Sequence, residues 1–255
     1  MRWKHVLCFG IVLCLLCGGV SAAPEEYHWY CKHMNDGSTP SIPEEMRFIR
    51  EHGGLWCNED VEEEDKVIYL TFDAGYSNEN LEKIVTVLRE HEATGAFFVL
   101  SHLVKDQTEL VKQMKRDGHL ICNHTAHHHN MARITDEAAF RSELQEQEET
   151  YAKLTGLTMD RLYRPPEGAF TEDNLRIAQN MGYATVFWSF AYSDWDNGNQ
   201  PDPQKSLDKI LANTHNGMIL LLHPTSATNA AIMDELLTRW EEMGYRFGSL
   251  TELVS

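Results

Sequence analysis

The fold can be inferred from residues 67–76, whose sequence is VIYLTFDAGY. Its first four residues are an apolar run typical of a buried strand, and a helical pattern follows the stretch. A lone carboxylate at the C-terminal end of a core strand stands where α/β folds place their chemistry. Asp73 is therefore a candidate functional residue, although such a strand could equally end in an Asx turn.

Strand and helix patterns alternate after this stretch. Between amphipathic patterns, further apolar runs predict strands at residues 96–100, 119–122, 161–163, 184–190, 217–222 and 245–250. One helix is expected to begin at Asp106, because Glu109 three residues later resembles a capping box. Together the patterns predict an α/β fold with a parallel sheet covered by helices. A barrel and an open doubly wound sheet are both compatible, but no glycine-rich phosphate loop follows the first strand, which disfavours the open sheet.

The chain of 255 residues divides into three parts. Residues 1–23 have a basic start, an apolar run too short for a comfortable membrane span and small residues at their end. This pattern predicts an export signal, and an uncleaved N-terminal anchor is the alternative. Residues 24–65 are an irregular extension and linker, and residues 66–255 form the main domain.

Charge and cysteine content limit the possible partners and cross-links. The chain has 39 acidic and 22 basic side chains, a formal net charge of −17. Nucleic-acid binding needs basic surface, so nucleic acid is not an expected partner. Cys31 and Cys57 could pair in an oxidising exterior, whereas Cys122 lies in an apolar run and is expected in the core.

Residues 123–129, with the sequence NHTAHHH, carry the densest chemical signal. A histidine run could be a solvated surface segment, but this one directly follows a predicted strand. His124 and His128 are four residues apart, so one helical turn would aim both imidazoles the same way, as a divalent metal requires. His127 and His129 would then point elsewhere.

Later strand ends carry further polar groups. Arg164 begins a rigid Arg-Pro-Pro corner, from which it could pair with Asp73 and keep that carboxylate ionised. His223 follows an apolar run and is a candidate general acid, which Asp194 could hold in its protonated state. Trp195 offers an apolar wall of the kind on which sugar rings stack. Taken singly, the corner could be only a turn, and the histidine could be only structural.

In this order, the motifs TFDAGY, HTAHH, RPPEG, SDW and LLLH resemble those of the polysaccharide deacetylase family, carbohydrate esterase family 4. The resemblance covers about residues 66–250. It implies an α/β fold of a particular kind, a distorted (β/α) barrel with a metal groove. It also implies the removal of N-acetyl groups from sugar polymers by a catalytic domain at residues 66–255.

The same resemblance implies roles for individual residues. Asp73 would be the catalytic base and Arg164 would orient it, while His223 would be the general acid, tuned by Asp194. His124 and His128 would hold a divalent metal, with zinc favoured. Substrate-binding residues would be Tyr76, Glu167, Trp195 and Leu221. Of these, Leu221 would line the acetyl pocket, and the backbone N–H of Glu167 would help to hold the oxyanion.

Ala74 departs from the family pattern. The family usually has a second aspartate at this position, where it supplies the third metal ligand, and an alanine cannot coordinate. Two imidazoles make a weaker and more open site than three protein ligands. We expect low metal affinity, completion of the shell by another group, or loss of activity.

The departure also indicates a subgroup. A non-acidic residue followed by Gly-Tyr-Ser-Asn at residues 75–78 is similar to the delta-lactam-biosynthetic de-N-acetylases of endospore-forming bacteria. This likeness implies an exported monomer, without a stable membrane span, that acts in the cell envelope on peptidoglycan glycan strands. It would deacetylate muramic acid, whose freed amine then closes to muramic delta-lactam in spore cortex. Glu167 fits this less well, because a cationic side chain at its position would better suit the lactyl carboxylate; Arg133 or Lys105 could serve instead.

Two other functions remain open at this level. The chain could deacetylate N-acetylglucosamine in the wall or in chitin-like oligomers. It could also be a catalytically silent glycan-binding protein that has kept the groove, an alternative motivated by Ala74.

Overall fold

The computed structural model describes residues 25–254. The export signal predicted over residues 1–23 lies outside the described residues. The strands are β1 (Tyr27–His28), β2 (Val67–Ala74), β3 (Gly95–Val99), β4 (Leu120–Asn123), β5 (Asp160–Tyr163), β6 (Ala169–Phe170), β7 (Ala184–Thr185), β8 (Met218–Leu222) and β9 (Arg246–Phe247). The α-helices are α1 (Glu79–Glu90), α2 (Ser101–Asp106), α3 (Thr108–Arg116), α4 (Glu137–Thr155), α5 (Glu172–Asn180), α6 (Pro203–Ala212) and α7 (Ala227–Glu242).

The main sheet has the strand order β7-β5-β4-β3-β2-β8, and β9 pairs with the beginning of β2. All of these pairings are parallel, so the carboxyl ends of the strands share one edge. The predicted parallel α/β architecture is confirmed. β2, the strand that carries Asp73, lies between β3 and β8.

β2 is apolar along its length because both of its faces are buried. Side chains alternate along a strand, and Ile68, Phe72 and Ala74 pack in the core cluster that includes residues of α1 and α7. Val67 and Tyr69 belong to a second cluster, on the opposite face. Asp73 lies on the same face of β2 as Val67 and Tyr69. It is the next-to-last residue of the strand and lines a groove at the strand's carboxyl end.

The N-terminal extension fills the space between β7 and β8. The N–H of Leu55 donates to the carbonyl of Thr185 over 2.8 Å, and the N–H of Phe187 donates back to Leu55 over 2.7 Å. On the other side of the extension, the backbone of Cys57 forms an isolated antiparallel β-bridge with Met218 of β8. The continuous strand predicted over residues 184–190 is wrong, because β7 ends at Thr185 and, beyond it, Val186 and Phe190 form only isolated bridges, to Leu55 and Leu220.

A short 3-10 helix over Glu44–His52 packs the rest of the extension on the domain. Its buried Met46 and Ile49 join a cluster with Phe170 and Phe187. Removing this packing would expose apolar surface of the main domain, so we propose that residues 24–65 are structurally inseparable from it.

The capping box predicted at Asp106 is wrong. Asp106 is the last residue of α2, and its Oδ2 lies 3.0 Å from Nε2 of His102. α3 begins at Thr108, and no side chain caps its N-terminus. α2 is a six-residue helix held by the buried Leu103 and Val104. Such a short element has too few residues to show a helical period.

Cys31, Cys57 and Cys122 are free thiols, so the possible Cys31–Cys57 disulfide is not formed. Cys122 is fully buried in the core, as predicted. Between residues 25 and 254, no helix combines the length and apolar character needed to cross a membrane.

Candidate active site

A groove of about 470 Å³ opens at the carboxyl ends of β2, β4 and β8. Its lining includes six of the predicted site residues, Asp73, Tyr76, His124, His128, Trp195 and His223. Cavities of about 610 and 510 Å³ lie elsewhere, but neither is lined by any predicted site residue. The concentration of titratable groups, and not the volume, therefore identifies the candidate site.

Arg164 lies buried beneath the groove and donates from Nη1 to Oδ1 of Asp73 over 2.9 Å. Burial disfavours the charged carboxylate, but the neighbouring His124 and Arg164 outweigh this effect and hold the pKa of Asp73 below its ordinary value. Asp73 is therefore ionised at neutral pH. The pairing expected from the sequence between these two residues is present.

The guanidinium of Arg164 is fixed by its remaining donors. Nη2 donates to Oγ1 of Thr71 and to the carbonyl of Phe187, and Nε donates to the carbonyl of Val186. The ring of Phe98 lies 4.2 Å from the guanidinium carbon. With its side chain fully buried, Arg164 has no freedom to leave the carboxylate.

His124 is held as a neutral imidazole with one free nitrogen. Its Nδ1 lies 2.8 Å from the carbonyl oxygen of Arg164, which can only accept, so Nδ1 carries the hydrogen. Burial lowers the pKa of His124 to about 4. Nε2 is thereby left with its lone pair, 3.6 Å from Oδ2 of Asp73.

His128 reaches His124 by a different route from the one predicted. Residues 124–130 are not helical, and both Thr125 and His128 have positive φ angles of 73° and 59°. The N–H of His128 donates to Oγ1 of Thr125 over 2.9 Å, which closes the loop. The two rings nevertheless lie with their centroids 5.1 Å apart. The two rings are neighbours as the spacing indicated, but the predicted helical turn is wrong.

The imidazole nitrogens of His124 and His128 suit a divalent cation, but the set of protein ligands is incomplete. A neutral imidazole whose other nitrogen is held by a carbonyl is the usual form of a histidine ligand, and imidazole suits zinc and its neighbours. Ala74, in contrast, is buried in the core cluster beneath the outer helices and offers no ligand atom. His124 and His128 are therefore the groove residues that could hold the cation, together with Asp73 close by.

Both carboxylate oxygens of Asp194 contact His223. Oδ1 lies 2.8 Å from Nδ1 of His223, and Oδ2 accepts the backbone N–H of the same residue over 2.7 Å. Burial alone would lower the pKa of His223, but the hydrogen bond and charge of Asp194, with the charge of Asp73 behind them, raise it above its ordinary value. Nε2 is the nitrogen left for a ligand in the groove.

Asn229 was given no role from the sequence, yet it completes this pair. Its Nδ2 donates to Oδ2 of Asp194 over 2.6 Å and to the carbonyl of His223 over 3.0 Å, and Tyr192 donates to its Oδ1. The side chain is fully buried. Asn229 stands in the first turn of α7, whose cap is Ser226, so in the sequence it resembles an ordinary capping position.

The remaining predicted site residues divide between the groove and its surroundings. Tyr76 and Trp195 are exposed aromatics on the groove, where Tyr76 packs against His102 with ring centroids 4.8 Å apart. Glu167 and Leu221 are not among the described residues that line it. Leu221 is buried opposite Thr71 in the sheet, and Glu167 occupies a turn with a positive φ of 59°.

The chain is similar to known proteins in both sequence and structure. The polysaccharide deacetylase family model matches residues 60–186. Peptidoglycan-N-acetylmuramic acid deacetylase PdaA of Bacillus subtilis is 37% identical over 259 residues, covering 100% of this chain and 96% of the relative. A structure of Bacillus subtilis PdaA, described as a family 4 carbohydrate esterase, matches with a TM-score of 0.84 at 35% identity, covering 90% of this chain and 97% of that chain.

A peptidoglycan-N-acetylglucosamine deacetylase of Bacillus cereus is 28% identical over 200 residues, covering 76% of this chain and 91% of the relative. The likeness to PdaA extends over nearly all of both chains, in sequence and in structure. It confirms the α/β fold of the distorted (β/α) barrel type. The chain belongs to the polysaccharide deacetylase family, carbohydrate esterase family 4.

Proposed function

We propose that the protein is an exported, metal-assisted deacetylase that removes the N-acetyl group from N-acetylmuramic acid in peptidoglycan. The observation that carries this proposal is a pair of titratable groups in one groove whose environments push their pKa values apart. Arg164 favours the ionised form of Asp73, and Asp194 favours the protonated form of His223. Such a pair supplies a base and an acid at the same pH.

Asp73 acts as the base. Its Oδ1 is held by Arg164, so Oδ2 is the oxygen that accepts a proton from the attacking water. As the water oxygen bonds to the acetamide carbon, negative charge develops on the former carbonyl oxygen. The backbone N–H of Glu167 is the chain's candidate donor to that oxyanion.

His223 acts as the acid. Its Nδ1–H stays on Asp194, and Nε2–H is transferred to the nitrogen of the sugar as the C–N bond breaks. Without this proton the leaving group would be an amide anion, which is far too basic to depart. Arg164, Asp194 and Asn229 are positioning residues, because each acts through Asp73 or His223.

His124 and His128 are the residues that would hold a divalent cation, and zinc suits their imidazole nitrogens. When bound, the cation supplies a Lewis acid that polarises the acetamide carbonyl. Because Ala74 offers no ligand atom, this site has fewer than three protein ligands, and we expect it to lose its metal easily.

The substrate assignment rests on similarity to PdaA across the full length, which favours muramic acid over glucosamine. Tyr76 and Trp195 are placed to stack on sugar rings of the glycan strand. Condensation of the freed muramic amine with the lactyl carboxyl group of the same sugar, with loss of one water, would then give muramic delta-lactam, the form found in spore cortex. Action on the wall requires export, which agrees with the signal predicted at residues 1–23.

Acetate release tests the proposal. The purified protein is incubated with peptide-stripped peptidoglycan, intact peptidoglycan and chitin oligomers, each with and without added zinc. We expect release from the peptide-stripped material, increased by zinc and abolished in both Asp73→Asn and His223→Ala. Release from chitin oligomers alone would favour the glucosamine function, and no release from any substrate would contradict both enzyme functions.

A further inference from the structure

The histidine-rich loop places a second group of ligand atoms beside the groove pair. His127 and His129 stack with ring centroids 5.6 Å apart, next to Glu143 on α4. One nitrogen from each ring and one oxygen of Glu143 lie within 4.8 Å of one another. We call His127, His129, Glu143 and Glu146 the outer histidine cluster. It shares no residue with the pair formed by His124 and His128.

Glu143 is fixed in place before any ligand binds. Its side chain is only 12% exposed, and its Oε2 accepts the backbone N–H of His127 over 3.2 Å. The backbone carbonyl of Glu143 accepts the N–H of Ala126 over 3.1 Å, which ties the loop to α4. Oε1 is therefore the oxygen that faces the two rings, 2.9 Å from Nδ1 of His127 and 3.7 Å from Nε2 of His129.

Glu146 supplies the outer partner that metal-bound histidines commonly have. Its Oε1 lies 3.4 Å from Nε2 of His127, on the side of the ring opposite to Glu143. A carboxylate that accepts the N–H of one ring nitrogen fixes the tautomer and leaves the other nitrogen as a ligand. Glu143 and Glu146 are three residues apart on α4 and so share one helix face.

We propose that the outer histidine cluster binds a zinc-type divalent cation through Nδ1 of His127, Nε2 of His129 and Oε1 of Glu143. Two imidazoles and one carboxylate are a known zinc ligand set, with a fourth position left to water. The side chains of His127 and His129 are 48% and 61% exposed, so small rotations bring them within bonding distance of one cation. The acidic chain, with a net charge of −17, favours cation binding in general.

The cation clamps the loop of residues 124–130 to α4. This loop is not helical and carries two non-glycine residues with positive φ, Thr125 and His128. Such a backbone persists only when its surroundings fix it. The outer site thereby steadies the segment that also carries His128 into the groove.

Zinc binding to the intact protein tests the proposal, with zinc alone as the probe. Bound zinc per chain is measured by equilibrium dialysis for the wild type, His129→Asn, Glu143→Gln and His124→Asn. The matched control is His102→Asn, because His102 is an exposed histidine that also contacts a carboxylate, that of Asp106 at 3.0 Å. Circular dichroism verifies that each variant is folded.

We expect His129→Asn and Glu143→Gln each to bind one zinc fewer than the wild type, and His102→Asn to bind as much as the wild type. In the His124→Asn background, where the groove pair is broken, zinc still raises the melting temperature, and adding Glu143→Gln abolishes that rise. Unchanged stoichiometry in both His129→Asn and Glu143→Gln would overturn the proposal. So would a wild type that binds no zinc, whatever its activity.

Discussion

Arg164, fully buried, holds Oδ1 of Asp73 at 2.9 Å and leaves Oδ2 turned towards His124, 3.6 Å away. One residue thereby keeps the carboxylate ionised and selects which of its oxygens is free. The main chain of the same arginine accepts the Nδ1 hydrogen of His124. The base and the first candidate metal ligand are consequently fixed by one residue at the end of β5.

Arg164→Met should greatly reduce activity and shift the acid limb of the pH–rate profile. Because the pKa of Asp73 is lower in the folded than in the unfolded chain, ionised Asp73 stabilises the fold above about pH 3.9, and this contribution is lost as the pH falls through the folded pKa. Without Arg164, the acid limb of the rate profile should move to higher pH. Breaking a buried pair also costs about 3–5 kcal/mol of stability.

Arg161→Met is the matched control, since Arg161 forms an exposed ion pair with Glu148. Exposed pairs contribute about 0–1 kcal/mol, so urea unfolding and the rate profile should change little. An Arg164→Met profile that coincides with the wild type would contradict the role given to Arg164.

Asp194→Asn should act on the alkaline limb instead. Because the folded pKa of His223 is raised above its unfolded value of about 6.5, its stabilising effect is complete below that pH and is lost as the pH rises through the folded pKa. Loss of the Asp194 charge should move the alkaline limb to lower pH and reduce kcat by about 10²–10⁴-fold as acid catalysis is impaired. Asp196→Asn, two residues away and exposed, should leave the profile unchanged; equal shifts in both variants would refute a specific role for Asp194.

Asn229→Ala should lower kcat more than it raises KM. The substitution removes one of the two donors to Oδ2 of Asp194, which keeps the backbone N–H of His223, at a cost of about 1.5–3 kcal/mol. It also loosens His223 without removing a groove contact. Asn213→Ala provides the comparison, because Asn213 is also buried but bonds to Asn35 and to the carbonyl of Lys209, away from the groove. It should lose stability and keep kcat. A kcat loss of the same size in both variants would show that Asn229 is only structural.

Ala74→Asp should strengthen zinc binding while weakening the metal-free fold. Ala74 is fully buried in the core cluster that includes residues of α1 and α7. An ionised carboxylate at this position is costly unless it turns towards a cation. The melting temperature should therefore fall without zinc and recover when zinc is added. Ala74→Asn has nearly the same shape without the charge and should recover less. Equal recovery in both would remove the argument that a missing carboxylate weakens the groove site.

The sequence was most informative where function coincides with a regular element. Asp73, Arg164 and His223 each end or follow a strand with a clear apolar run, and their parallel pairing brings them to one edge. Asn229 was missed because its partners come from residues 194 and 223, which no local pattern connects to α7.

Irregular backbone accounts for the other differences. His124 and His128 were identified by spacing, but positive φ angles, and not a helical turn, bring their rings together. Beyond β7, Val186 pairs with Leu55, which lies more than a hundred residues earlier in the chain. Long-range insertions of this kind leave no period in the sequence.

The most direct measurement is the site of acetyl loss on the glycan. Peptide-stripped peptidoglycan is incubated with the protein and zinc, digested to disaccharides and analysed by mass spectrometry, with Asp73→Asn as the inactive control. We predict acetyl loss from muramic acid, with muramic delta-lactam among the products of the wild type alone. Muramic acid that keeps its acetyl group, with or without acetyl loss from glucosamine, would contradict it.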